Sequence, residues 1–148
     1  MGEYSSRDLV EARPYIEVPA AGLAAERRTT GQCTELQRLI DVMTRTKDPT
    51  ALASLDADFH AAVAQASGNK LFVAVLAQIH GALARQSETL TVIARRRDDS
   101  NREHQAIVAA IADQSAERSK AAMAAHLDAV SASVSGLIQA HPDAATSG

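Results

Sequence analysis

Cysteine occurs once in 148 residues, as Cys33, so no internal disulfide can brace the chain and a reducing cytoplasm is the expected setting. Tryptophan is absent and aromatic residues make up only 3%. Strands draw on β-branched and aromatic residues, whereas the alanine and leucine abundant here favour helices, so the balance predicts an all-α fold. No glycine-rich phosphate loop, internal repeat or low-complexity tract is present. No run approaches the roughly 18 consecutive apolar residues of a membrane span, and no basic-then-apolar signal pattern opens the chain. A net charge of −3 argues against a surface that grips a nucleic-acid backbone. The one basic run, Arg95-Arg96-Arg97, is followed at once by Asp98-Asp99 and reads as a solvated helix end, with a contact patch as the alternative. A single domain of this length buries about 70% of the surface its unfolded chain exposes, so no metal is needed merely to close a core.

What is present is helical periodicity. Ser5 and Asp8 have capping-box spacing, and Leu9, Ile16, Ala20 and Leu23 recur behind them to about Arg28. Pro14 and Pro19 lie inside that stretch, which predicts a kink or a regular part that begins near Pro14. Leu36, Leu39, Ile40 and Met43 mark a second helix; Asp48-Pro49 starts a third, carrying Leu52, Leu55, Phe59 and Val63. Ser67-Gly68-Asn69 ends it, and a long fourth helix is expected to reach about Arg95. Ser100 and Glu103 have the spacing of a capping box for a fifth helix with His104, Ile107, Val108 and Ile111 inward. A turn around Asp113 to Ser115 leads into a sixth, with Met123, His126, Leu127 and Val130 inward. The expectation is an antiparallel bundle of about six helices over residues 6–140, with a central cavity and disordered ends at 1–5 and 141–148.

Asp56 and His60 stand four apart, one turn up the same helix face, where both can hold one ion. His104 and His126 lie in the apolar stripes of two successive helices, and their midpoint is residue 115, at the turn. Residues equally far from an antiparallel turn stand at one height, so the two imidazoles should face each other. Three imidazoles and a carboxylate on inner helix faces are the ligand inventory of a divalent metal site, and one ion would satisfy four buried polar groups together. His80 has a weaker case, between a cavity role and partial exposure, and His141 lies in the tail. Glu103, about 100° round the helix from His104, should face away from the ion.

The segments Asp56-Ala57-Asp58-Phe59-His60, Ala66-Ser67-Gly68-Asn69, Glu103-His104 through Ile111, and Met123-Ala124-Ala125-His126-Leu127 resemble the FCD family. Glu11-Ala12-Arg13 with Ile16-Glu17, and Leu23 to Glu26, resemble that family's first helix, so the likeness covers roughly residues 7 to 138. This family is the C-terminal effector-binding domain of FadR-type regulators in the GntR superfamily, and the match is nearest its metal-binding, six-helix VanR-like branch. The resemblance implies one divalent metal on Asp56, His60, His104 and His126, zinc first, with nickel or manganese as alternatives. It also implies a small carboxylate effector at the ion's open position and a homodimer. DNA would be bound only through a winged helix-turn-helix domain absent from this chain. Arg13 is then a candidate for the effector carboxylate, against a surface salt bridge with Glu17, and Pro14 just after it departs from the family pattern. Asn69 matches a family position but has a capping duty of its own. A metal-dependent hydrolase is the alternative function, weakened by the lack of a His-Glu-x-x-His pattern or a second catalytic carboxylate.

Overall fold

A computed structural model describes residues 3–142. They form seven helices and no strand: α1 (Ser6–Arg27), α2 (Thr30–Arg45), α3 (Pro49–Ala66), α4 (Lys70–Leu83), α5 (Ser87–Arg95), α6 (Arg97–Ala112) and α7 (Ala116–Ala140). The disorder expected at residues 1–2 and 143–148 lies outside the described residues.

α1 is helical from Ser6 through both prolines, so its regular part does not wait for Pro14. Ser5 and Asp8 cap it reciprocally. α1 packs most extensively on α7, and also on α3, α4 and α6, which makes it the spine of the bundle. α7 is long and apolar enough to cross a membrane by length and composition alone, but its Met123, His126 and Leu127 are buried in this bundle. The main core joins α1, α2, α3, α6 and α7 through Leu36, Met43, Phe59, Ile107, Ile111 and Met123, all at or below 2% exposure.

The all-α bundle of about six helices stands, but two helix boundaries depart from expectation at the same corner. The single long helix expected to Arg95 is broken at Ala84–Gln86, giving seven helices where about six were predicted. No glycine or proline marks the break. The N-terminus of α1 holds it instead: Gln86 Nε2 donates to the Tyr4 carbonyl at 2.9 Å, and the Ser6 hydroxyl faces Gln86 and Glu88 at 3.2 and 3.0 Å. Thr89 Oγ1 then donates to the Leu83 carbonyl at 2.6 Å, satisfying an acceptor at the end of α4. Likewise α6 starts at Arg97 rather than at a Ser100 cap, with Asp98 and Asp99 in its first turn, where carboxylates favour the helix dipole. The basic run is not a solvated end either. Arg96 is only 9% exposed, and Arg97 donates to the Thr46 and Thr44 carbonyls at the end of α2.

The α6–α7 turn is a Schellman motif. The Gln114 amide donates to Ile111 and the Ser115 amide to Ala110, both at 3.0 Å, with Gln114 left-handed at φ 56°. A non-glycine residue there is strained by roughly 1 kcal/mol. Gln114→Gly should therefore raise stability by about 0.5 kcal/mol after glycine's greater freedom in the unfolded chain is counted. Thermal melts should show this as a rise of about 1–2 °C; a fall would mean the Gln114 side chain holds the turn in some other way.

Candidate metal centre

α3 carries Asp56 and His60 one turn apart, and the α6–α7 hairpin brings His104 opposite His126. One donor atom from each of these four residues falls in a single cluster spanning less than 4.8 Å. His104 Nε2 lies 3.2 Å from His126 Nε2 and 3.3 Å from Asp56 Oδ1, and His60 Nε2 lies 3.6 Å from the same oxygen. Ligands about 2.0–2.2 Å from a tetrahedral zinc ion stand roughly 3.3–3.6 Å from one another. The three histidines are about 1% exposed, while Asp56 keeps 18% of its side chain open.

The far nitrogens explain how the rings are held. His126 Nδ1 lies 2.6 Å from Glu103 Oε1, so it donates to that carboxylate and leaves the Nε2 lone pair facing the cluster. Glu103 is fixed in turn by Arg96, whose Nη2 reaches both carboxylate oxygens at 2.9 and 2.6 Å. On the other side His60 Nδ1 lies 2.5 Å from Glu17 Oε1, an ion-pair contact without the alignment of a good hydrogen bond. Arg13 Nε donates to Glu17 Oε2 at 2.6 Å. The expectation that Glu103 faces away therefore needs correction: it is no part of the donor cluster, but it turns onto the far side of one ligand. The Arg13–Glu17 pair exists, but at 4% and 1% exposure it is internal, not a surface bridge.

His60 Nε2 is buried with no hydrogen-bond partner among the described residues, and His104 Nδ1 is likewise alone. A buried lone pair left this way is costly. A cation among the four donors would satisfy the His60 nitrogen and separate the two facing Nε2 atoms, so the residues fit a divalent metal.

A cavity of about 530 Å³ adjoins the cluster, with Asp56 and His126 on its wall. Arg13 and His80 also line it, each with a buried nitrogen that has no partner among the described residues: Nη2 of Arg13 and Nε2 of His80. Pro14 has thus not turned Arg13 away. The His80 ring stands 5.6 Å from that of His60, outside the donor cluster. Asn69 does not line the cavity; its Oδ1 accepts from the Leu71 and Phe72 amides and caps α4. Among the residues that shape the site, Glu17 and Arg96 are the two the sequence did not single out. A signal existed for Glu17, which follows Val10 and Arg13 at helical spacing and leads to Ala20, Ala21 and Ala24 on the buried stripe.

Burial presses His60 toward neutrality, but the Glu17 and Asp56 carboxylates outweigh it and raise its pKa from 6.5 to about 9. Burial lowers His126 to about 4 against the opposing pull of Glu103, and burial with the Arg13 charge lowers His80 to about 4. A raised histidine stabilises the fold below 6.5, an advantage lost as pH climbs through 9; a lowered one stabilises it above 6.5, an advantage lost as pH falls toward 4. Chelator-treated protein should thus be most stable near pH 6.5, with urea midpoints falling on both sides. Zinc should abolish the alkaline fall, because ligation removes the His60 proton. A midpoint that climbs steadily from pH 4.5 to 9 without metal would contradict the assignment. Glu103→Ala should weaken zinc binding by about 10–100-fold, since it frees the far side of His126; competition with a chromophoric chelator measures this, and circular dichroism should show an unchanged helical fold.

Comparison with known proteins agrees with this architecture. The family model of the FCD domain matches residues 8–129. Among solved structures, a GntR protein of Streptococcus agalactiae is 28% identical with a TM-score of 0.71, over 84% of this chain and 57% of its own. McbR/YncC of E. coli is 17% identical with a TM-score of 0.69, over 90% of this chain and 67% of its own, a likeness that shows the fold. This chain therefore spans little more than half the length of the first of these relatives. No curated protein matches it. With the match running from the start of α1 into α7, the chain belongs to the FCD domain family, the helical domain of GntR-family regulators.

Proposed function

We propose that this chain is a metal-dependent, ligand-sensing domain of a cytoplasmic GntR/FadR-type transcriptional regulator. Asp56, His60, His104 and His126 hold one divalent ion, zinc first among the candidates, and a small organic acid binds beside it. The observation that carries this reading is the convergence of four buried donors on the wall of a cavity that also presents unpartnered nitrogens of Arg13 and His80. A bound divalent ion supplies Lewis-acid charge for a carboxylate. Arg13 Nη2 adds a charge-assisted donor at the same end of the cavity, and His80, held neutral by burial, offers one tautomer-dependent donor or acceptor. The VanR-like branch rests on the ligand set alone, because the helix count is seven rather than six.

Sensing requires that the ligand prefer one arrangement of the bundle over another. α5 is suited to report occupancy. Its Thr89, Leu90, Val92 and Ile93 line the cavity, and at its end Arg96 grips Glu103, which holds His126. An acid seated against α5 thus bears on the α5–α6 joint, the route by which occupancy would reach a partner subunit or an attached DNA-binding domain. The hydrolase reading lacks a free general base: Glu17 is engaged by Arg13 and His60, and Glu103 by Arg96 and His126.

Elemental analysis after metal reconstitution should give one ion per chain. An organic acid at a hundredfold excess over its dissociation constant should stabilise the loaded protein by about 2.7 kcal/mol, a rise of roughly 5–10 °C in melting temperature. In His126→Ala that response should be flat while helicity is kept. A metal-free His126→Ala protein that reproduces the parent's full concentration-dependent shift would place the effector elsewhere.

A further inference from the structure

The charged and imidazole side chains of the cavity wall gather in one place. Asp56, His126, Arg13 and His80 gather beside the donor cluster, whereas Val10 from α1, Val92 from α5 and Val134 from α7 close together into an apolar cluster that forms much of the remaining wall. Val130 packs against that cluster and lines the cavity too. Among the described residues, Arg13 is the only lysine or arginine on the wall. Of the four hydroxyls there, Thr89 donates to the Leu83 carbonyl and Ser100 accepts from Arg96, while Thr50 and Ser54 are exposed. Leu90, 43% exposed, extends the apolar wall toward solvent.

We propose that the ligand is a monocarboxylic acid with an apolar body, its carboxylate at the Arg13 and His126 end and its hydrocarbon among the valines of α1, α5 and α7. This names the ligand class for the proposed function and rests on it for the carboxylate anchor. A sugar acid of similar size would strand hydroxyls against valine side chains, each lowering affinity by roughly tenfold. A dicarboxylic acid would set its second charge against a wall with no second lysine or arginine among the described residues. A two-carbon acid would leave the apolar part of some 530 Å³ unfilled.

The test is isothermal titration of the full chain, zinc-loaded and chelated in parallel, with acetate, butyrate, hexanoate, gluconate and adipate. Affinity for the loaded protein should climb about fourfold per added methylene, with gluconate and adipate both weaker than hexanoate. Val130→Thr, which sets a hydroxyl in the wall at nearly constant volume, should weaken hexanoate severalfold and by a larger factor than it weakens acetate; an equal loss for both acids overturns the placement of the hydrocarbon. Affinity independent of chain length, or gluconate or adipate binding tighter than hexanoate, overturns the apolar assignment while a zinc-dependent acid site stands. Hexanoate binding equally to chelated protein overturns the metal anchor but supports the apolar class. If none of the five acids binds the loaded protein, both fall.

Discussion

An imidazole nitrogen buried without a partner is destabilising, and a ring is held with its lone pair facing a donor cluster when a partner fixes its far nitrogen. Two of the three rings are fixed by carboxylates, and each carboxylate by an arginine. Arg13–Glu17–His60 runs from α1 to α3, and Arg96–Glu103–His126 runs from the α5–α6 joint to α7. These two relays link the helices that form the cavity. α1 must stay in register through Pro14 and Pro19 so that Arg13 and Glu17 both face inward, and α5 must end where Arg96 can turn back onto Glu103.

The donor set was legible because it depends on local geometry. An i, i+4 pair on one helix and two histidines equidistant from a tight turn are constraints that short-range structure enforces, and the Schellman motif at Asp113–Ser115 keeps the hairpin tight. Glu17 was harder to read, since a glutamate four residues after an arginine describes a surface ion pair equally well. What distinguishes it is that both charges fall in the stripe of Val10, Ala20, Ala21 and Ala24, and a helix does not turn such a stripe to solvent.

The α4–α5 break had no sequence signal, because Ala84-Arg85-Gln86 is good helix-forming sequence. The helix ends there through contacts with Tyr4 and Ser6, some 80 residues away, so a tertiary interaction overrides local propensity. Ser100 and Glu103 misled for the opposite reason. Their spacing is that of a capping box, but Arg96 claims both side chains, and the N-cap falls four residues earlier, at Arg96 itself. Without the break, α5 would continue the line of α4, and the valine-lined side of the cavity would lose Val92 and Ile93.

Charge balance ties the ion to the acid. Asp56, Glu17 and Glu103 bring three negative charges to the site, and Arg13 and Arg96 bring two positive, which leaves one negative charge to be met. In metal-free protein a proton on His60 meets it, consistent with the raised pKa of that ring. A divalent ion in place of the proton turns the balance to one positive charge, in a site whose open face is a largely apolar cavity. A single carboxylate entering there restores neutrality, whereas a neutral ligand would leave the charge unmatched and a dianion would reverse it. On this count the ion and a monoanion favour each other's binding, and the coupling between them is reciprocal. The same count explains why the rest of the cavity can be apolar: once the carboxylate is matched, no charge remains for the valines to accommodate.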